Sequence, residues 1–354
     1  MDGVDGVLAR FDESTVSVLA STHLAMPDAL RAECLALNHP GQNELHRAAV
    51  AGIALSRLYA ETVGLLLTKA ACAATEVAAI GCHGQTVRHQ PSLGYTLQLV
   101  NGALLAELTG ITSVVDFRSR DIAAGGQGAP LVPAFHQAVL GSSSAHRTIV
   151  NIGGFSNLSA LRPGQAALGF DCGPGNALMD AWIQEHQGLR YDRDGAWAQS
   201  GALNEILLNC LLAHPFFTLS PPRSTGRDMF HLPWLKEVLS FSGCAAIPAR
   251  DVQRTLLEFT ARAIADGIQH FTPSSAEVFV CGGGAYNAAL MNRLQALLAP
   301  RLVNLTGAIG MQEDLVEALA FAWLAQRTIQ GEAGNLSSVT GAQGPRILGA
   351  VYPA

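Results

Sequence analysis

Three apolar runs in this chain end directly in glycine-bearing turns, and a fourth such turn lies among the first residues. They are Asp2-Gly3-Val4-Asp5-Gly6, Asn151-Ile152-Gly153-Gly154-Phe155-Ser156-Asn157, Phe170-Asp171-Cys172-Gly173-Pro174-Gly175-Asn176 and Val280-Cys281-Gly282-Gly283-Gly284-Ala285-Tyr286-Asn287. Short, β-branched apolar runs read as strands. A strand feeding such a turn presents backbone N–H groups that can cradle phosphate oxygens, and a following helix adds its positive end. Singly, each is more often an ordinary turn than a phosphate loop. Their combination confines the chain to an α/β fold with turns suited to anions.

The rest of the chain alternates strands and helices around these turns. Val7, Ala9 and Phe11 alternate with other residues, Asp12-Glu13-Ser14 turns the chain, and Val16 and Val18 resume, which reads as a hairpin. A long amphipathic helix is expected over 43–72, with Ala49, Ile53, Ala60, Val63 and Leu67 on one stripe. Strands follow at 77–82, 95–100 and 112–115, with a helix at 102–109. Gly125-Gly126-Gln127-Gly128-Ala129-Pro130 is a loop. A second hairpin opens at Arg147, with strands at 148–152, 155–161 and 166–170, then at 277–281 and 301–305. Helices are expected at 176–187, 201–213, 252–271, 287–298 and 313–330. This is a duplicated α/β pattern without a repeat in letters. The linker is expected in the small polar run at 140–144, giving domains 1–140 and 141–334, with about 335–354 returning to the first.

Composition narrows the class of function. Of 354 residues, 49% are hydrophobic and 14% charged, against a usual charged share of about 25%. Such a chain can bury a large core, which excludes a disordered or fibrous protein. A net charge of −6 with no Lys/Arg cluster argues against nucleic acid or an anionic membrane as partner. No apolar stretch of about 18 residues suggests a spanning helix, and the acids in MDGVDGVLARFDE do not encode export. Seven scattered cysteines read as reduced thiols in a cytoplasm, without zinc spacing. A small-molecule enzyme is the expectation.

Several familiar chemistries fail in detail. The turn at Gly282 lacks the third glycine and the ribose-binding acid of a dinucleotide site. Neither GxxxxGK[ST] nor GxSxG occurs. Cys172 has no neighbouring base to activate it and reads as inert. Asp171 reads either as an Asx-turn cap or as a general base at the carboxyl end of a strand, in a cleft where α/β proteins bind ligands. The segment 115–130 packs Asp116, Arg118, Arg120 and Asp121 against a glycine loop, and arginine forks suit carboxylate or phosphate. His83 follows a strand and reads equally as a site residue or a structural one.

Taken together, the turns at Asp2, Asp171 and Gly282 resemble the first phosphate, second phosphate and adenosine motifs of the sugar kinase, heat-shock chaperone and actin superfamily. More narrowly, the chain resembles the anhydro-N-acetylmuramic acid kinases. The blocks that carry this are HGQT at His83, DFRSRDIAAGGQGAPLVPAFH from Asp116, NIGGFSN at Asn151, FDCGPGNALMDAW from Phe170, PPRSTGRDMF from Pro221 and EALAFAWLA from Glu317. The resemblance implies two RNase H-like, actin/hexokinase-type domains facing across a central cleft. It implies a cytoplasmic homodimer in which water opens the 1,6-anhydro ring of 1,6-anhydro-N-acetylmuramic acid while the freed oxygen takes the γ-phosphate of ATP.

Carried onto this sequence, the base is Asp171. The nucleotide residues are Asp2, Gly3, Asp5, Gly153, Gly154, Asn157, Gly173, Gly175, Asn176, Gly282, Gly283, Gly284 and Asn287, and the sugar side is Arg120, Glu317, His83 and Gln98. Mg²⁺ is expected on the ATP phosphates, with no direct protein ligand unless Asp2 serves. The family's first motif reads roughly GxMSGTSMDGxD, and this chain begins at its Met-Asp-Gly. Two expectations follow: a kinase whose start lies upstream, or a catalytically impaired homologue that binds sugar or a partner.

Overall fold

The computed structural model describes residues 3–12, 15–227 and 229–354. Its strands, in chain order, are β1 (Gly3–Asp12), β2 (Thr15–Ala25), β3 (Ile80–Gly81), β4 (Gln85–Gln90), β5 (Tyr95–Leu99), β6 (Ser113–Val115), β7 (Arg147–Ile152), β8 (Phe155–Leu161), β9 (Leu168–Pro174), β10 (Glu277–Cys281), β11 (Leu302–Leu305) and β12 (Ala350–Tyr352). The chain divides into two compact units, Met1–Val139 with Leu315–Ala354, and Leu140–Asp314. The α/β class expected from the sequence is the one observed.

The second unit is built on one five-stranded sheet of order β11-β10-β7-β8-β9. β11, β10 and β7 run parallel, and β7, β8 and β9 form an antiparallel meander, with Val150 opposite Leu158 and Leu158 opposite Phe170. Central strands buried on both faces need continuous apolar runs, and Ile149, Val150, Ile152, Leu158 and Phe170 are fully buried. The helix Ala249–Phe271 packs against β8 and β9, with Gly267 facing Leu158, Phe170 and Cys172. The helix Leu232–Phe241 is additional to the expected ones, and the helix expected at 201–213 is shorter, Glu205–Leu212.

The first unit carries three small sheets: the hairpin β1-β2, the pair β4-β5, and β12-β6-β3. A bulge between Leu8 and Ala9 breaks the alternation of β1, and the turn residues Glu13 and Ser14 lie outside the described set. The helix Glu44–Ala70 matches the expected 43–72 in length and packs on β1, β2 and the helix Gly102–Thr109, but it buries Ala51, Leu55, Leu58 and Leu66, whereas Ala49 and Ile53 of the expected stripe are exposed. It is long and apolar enough, by length and composition, to cross a membrane, and 39% of its most apolar window is buried in the protein.

The domain boundary differs from the expected one. Residues 315–334, including the helix Val316–Ile329, belong to the first unit and not the second. The reason is packing. Phe321, Leu324 and Ala325 bury themselves with Val114, Phe117, Leu131 and Leu348, and Gly81 of β3 lies so close to the Phe321 carbonyl that a Cβ would collide with it.

The loop 125–130 is held by a side chain that the sequence reading grouped with the site arginines. Asp121 is fully buried. It accepts from the Gly128 N–H at 2.8 Å, and from Asn335 Nδ2 and Thr340 Oγ1 at 2.7 Å each. A Cβ at Gly126 would strike its carboxyl group. Asp121→Ala strands three buried donors, and hydrogen bonds to a charged acceptor contribute about 1.5–3 kcal/mol each without adding fully. Urea unfolding of this variant is expected to show a loss of about 3–5 kcal/mol, and a loss under about 1 kcal/mol would contradict the account.

Candidate active site

In the second unit the central residue is Asp171. It does not end its strand. The ladder continues past it, pairing Ser156 with Gly173 and Phe155 with Pro174, so Asp171 sits in the body of β9 with only 9% of its surface exposed. β9 is an edge strand, and its outward backbone groups need partners. One residue supplies both: the Asp171 N–H donates to the Arg223 carbonyl at 3.1 Å, and Arg223 Nε donates back to the Asp171 carbonyl at 3.1 Å. The carboxylate is fixed as well, with Oδ2 accepting the Thr225 N–H at 2.8 Å. Across the ladder stands Asn157, whose Oδ1 is buried with no hydrogen-bond partner among the described residues. Cys172, next in sequence, is buried and its thiol is pushed up to about 12, which makes it inert.

The glycine turns divide into donors that are spent and donors that are open. The N–H groups of Gly175, Asn176 and Ala177 donate to the carbonyls of Gly154, Gly153 and Gly154 at 2.9, 2.8 and 3.0 Å. They cap the helix Ala177–Gln187 from inside, so Gly175 and Asn176 do not offer their N–H groups to an anion as the motif suggested. Gly175 is required because a Cβ would strike the Gly153 carbonyl. Gly173 holds a φ of 139°, which a side chain rarely adopts.

At the fourth turn the Gly282 N–H is bonded to the Glu313 carbonyl at 2.9 Å, and Gly284 is packed against Ile152. Asn287 Oδ1 caps the helix Ala288–Leu298 by accepting from the Leu290 N–H at 3.1 Å, so that side chain is committed to local structure. Gly283 is different. It is exposed, with nothing within 4 Å of where a Cβ would stand, and Gly154 is exposed too.

In the first unit, His83 and Arg118 form a fixed pair. Arg118 Nε donates to His83 Nε2 at 2.9 Å and Arg118 Nη1 to the Gly128 carbonyl at 2.7 Å. Since a carbonyl only accepts, the 2.8 Å contact of His83 Nδ1 with Gly84 O places the imidazole proton on Nδ1. Burial and the Arg118 charge press the His83 pKa down to about 3, and its ring lies 4.6 Å from that of Phe321.

Glu317, in the first turn of the helix Val316–Ile329, is raised above the usual carboxyl range by the surrounding protein, with Arg118 opposing and Asp5 adding. Asp5 Oδ1 is 2.7 Å from His23 Nδ1, and a Cβ at Gly3 would meet the same His23 ring. Asp116 Oδ1 accepts from Ser119 Oγ at 2.6 Å from a backbone with φ 54°. Arg120 is exposed, and no described carboxylate pairs with it.

Gln98 sits on β5, giving Nε2 hydrogen bonds to Thr86 and Thr96 at 3.2 and 2.7 Å while its buried Oε1 has no partner among the described residues. Asp2 lies outside the described residues. The first unit thus gathers Asp5, His83, Arg118 and Glu317; in the second, Asp171 faces Asn157 across the ladder, and Gly283 stands open in the turn after β10. Sequence reasoning gave no role to Arg223 or Thr225, although the PPRSTGRDMF block that holds them stood out.

A family model described as anhydro-N-acetylmuramic acid kinase matches residues 1–354. An anhydro-N-acetylmuramic acid kinase from Nitrosomonas europaea is 52% identical over 356 residues, covering 100% of this chain and 97% of that protein. One from Pseudomonas paraeruginosa is 54% identical, covering 100% and 96%. Among solved structures, the activator of 2-hydroxyisocaproyl-CoA dehydratase from Clostridium difficile with bound ADPNP aligns at a TM-score of 0.43 and 10% identity, covering 92% of this chain and 97% of that one.

The His83 geometry makes a spectroscopic prediction. Because the folded pKa of about 3 lies below the ordinary 6.5, the unfolded chain binds a proton in that window that the folded chain refuses. This contribution to stability is therefore present above pH 6.5 and lost as pH falls toward 3. Nitrogen-15 NMR at pH 5 is expected to show His83 neutral and protonated at Nδ1. An imidazolium signal at that pH would contradict the assignment.

Proposed function

This chain belongs to the anhydro-N-acetylmuramic acid kinase family, and we propose that it opens the 1,6-anhydro ring of 1,6-anhydro-N-acetylmuramic acid with water and phosphorylates the freed O6 from ATP. The observation that carries this reading is Asp171, a nearly buried carboxylate fixed at Oδ2 by a backbone N–H, in a chain matched from end to end by the family. In the reaction, Asp171 accepts a proton from water as the water oxygen bonds to the anomeric carbon. The C1–O6 bond breaks, O6 takes the γ-phosphoryl group, and ADP leaves. The products are N-acetylmuramic acid 6-phosphate and ADP.

The remaining residues take roles that their settings support. Arg120, exposed and unpaired with any described carboxylate, suits the carboxylate of the muramic acid side chain, which a guanidinium grips bidentately. His83 is held neutral by burial and by Arg118, and both its ring nitrogens are bonded within the protein, so it serves as a fixed wall of the sugar side and not as a general acid. Gln98 offers an unsatisfied buried oxygen as an acceptor for a sugar hydroxyl. Glu317, whose carboxyl is lifted in pKa by burial near Arg118 and Asp5, is assigned to the same sugar side.

Gly283 leaves room for a nucleotide to approach the backbone. Among the described residues no three His, Cys, Asp or Glu side chains converge as a metal cage, and Mg²⁺ does not require one, since it binds through substrate phosphates and water with one or two carboxylates at most. When bound, it neutralises charge on the transferring phosphoryl group. The reading of a silent sugar-binding homologue is not supported by matches to named kinases over the whole chain. A cytoplasmic homodimer belongs to the same proposal, and seven free cysteines suit a reducing compartment.

Two variants test it. Asp171→Asn keeps an oxygen for the Thr225 N–H but cannot take a proton. A drop in kcat of about 10²–10⁴-fold with KM nearly unchanged is expected, read by mass spectrometry of the sugar phosphate. A folded variant within tenfold of the parent would remove the base role. Gly283→Ala meets nothing in the protein, so its melting temperature should hold while KM for ATP rises about tenfold or more. An unchanged KM would remove that turn from the nucleotide site.

A further inference from the structure

From the PPRSTGRDMF block the reaction described above uses only the Thr225 N–H and gives Arg223 no part. The block's structural behaviour centres on Arg223, which is 8% exposed. The guanidinium carbon lies 5.1 Å from the Phe170 ring centroid, 5.0 Å from Phe216 and 5.5 Å from Phe271. Nη1 donates to the Leu219 carbonyl at 2.8 Å, and Nε to the Asp171 carbonyl at 3.1 Å. Charged groups are rarely buried without compensation. Here three ring faces and backbone carbonyls provide it, which also removes the freedom that a long side chain normally keeps. Burial accordingly lowers the Arg223 pKa, while the Asp171 carboxylate and the Cys172 thiol oppose that effect.

A cage of this kind fixes whatever it is attached to, and it is attached to Asp171. The Asp171 peptide is gripped on both sides by Arg223, and Thr225, two residues on, donates to the carboxylate. β9 is a sheet edge, so no neighbouring strand would otherwise hold this residue from outside. We propose that Arg223 is a positioning residue for the reaction: caged by Phe170, Phe216 and Phe271, it clamps the Asp171 backbone so that the carboxylate keeps one direction toward the attacking water. The proposal rests on Asp171 being the general base. A shift of about 1 Å in a reacting group can cost about 10²-fold in rate. Loosening the clamp should therefore act on kcat and not on binding.

A double-mutant cycle separates this from simple stabilisation. Arg223→Met fits the aromatic cage and removes the Nε half of the clamp, while the backbone bond from the Asp171 N–H to the carbonyl of residue 223 stays. In the parent background kcat should fall about 10- to 100-fold, with KM for ATP and sugar within about twofold. In an Asp171→Asn background the same change should alter the residual rate by less than about threefold, because the base it positions is gone. Arg223→Lys keeps the charge but loses the Nε contact and the flat stacking surface, so it should remain impaired. Full recovery by Lys would show that charge alone mattered and would overturn the proposal. So would an equal loss in both backgrounds, an unchanged kcat in the folded single variant, or a loss confined to KM. If the Met variant does not fold, Arg223→Gln, which keeps an N–H donor, goes through the same cycle with the same criteria. Near-normal kcat in Asp171→Asn would overturn the base assignment itself and the proposal with it, whereas a dead Asp171→Asn with an intact Arg223→Met would overturn the proposal alone.

Discussion

Burying a guanidinium is unfavourable unless its donors and its charge are met within the protein. In the second unit Arg223 satisfies that requirement through three phenyl rings and the carbonyls of Asp171 and Leu219. Much of the surrounding arrangement depends on it. The aromatic residues come from three separate places, Phe170 on β9, Phe216 in the turn after the helix Glu205–Leu212, and Phe271 at the end of the helix Ala249–Phe271. The cation therefore ties a strand, a turn and a helix end to one point. Asp171 inherits its orientation from that point, and Ser156 bonds to the Gly173 carbonyl at 3.2 Å a little further along the same strand.

The first unit uses a different device. Its fixed points are a carboxylate and an imidazole rather than a caged cation. Asp121 gathers donors from the glycine loop and from residues 335 and 340, while Arg118 and Gly84 bracket the His83 ring. In both units a buried polar group bonded within the protein stands beside the candidate site residues. Such groups are costly to leave half-satisfied, which is why they make rigid supports.

The sequence was most legible where local pattern and tertiary packing agree. Phe155–Leu161, Gly102–Thr109 and Glu277–Cys281 fall at the expected residues, since alternation, a capping Asn101 and a β-branched run each specify the element locally. It was least legible where a partner is distant. β9 runs on to Pro174 because β8 pairs with it there, although the Gly-Pro-Gly letters read as a turn. The helix Val316–Ile329 follows its apolar face to the first unit, and no spacing rule reveals which sheet a helix will choose. Among site residues, Asp171 and Gly283 were visible as a carboxylate and an open glycine in suggestive turns. Asn287 and Gly175 were legible as motif members but not as residues already occupied by capping. Arg223 was invisible as a support because its cage assembles from segments far apart in the chain.

The first unit is discontinuous, and that bears on the order in which a nascent chain can finish itself. Residues 140–314 form a continuous stretch that can close as soon as it leaves the ribosome. Asp121 must wait for Asn335 and Thr340, which follow it by 214 and 219 positions. At a synthesis rate of about 5–20 residues per second, that delay is about 10–40 s. Throughout it, the glycine loop and the strand edge of β6 stand without the groups that complete them, so the later-folding half is the one that began first.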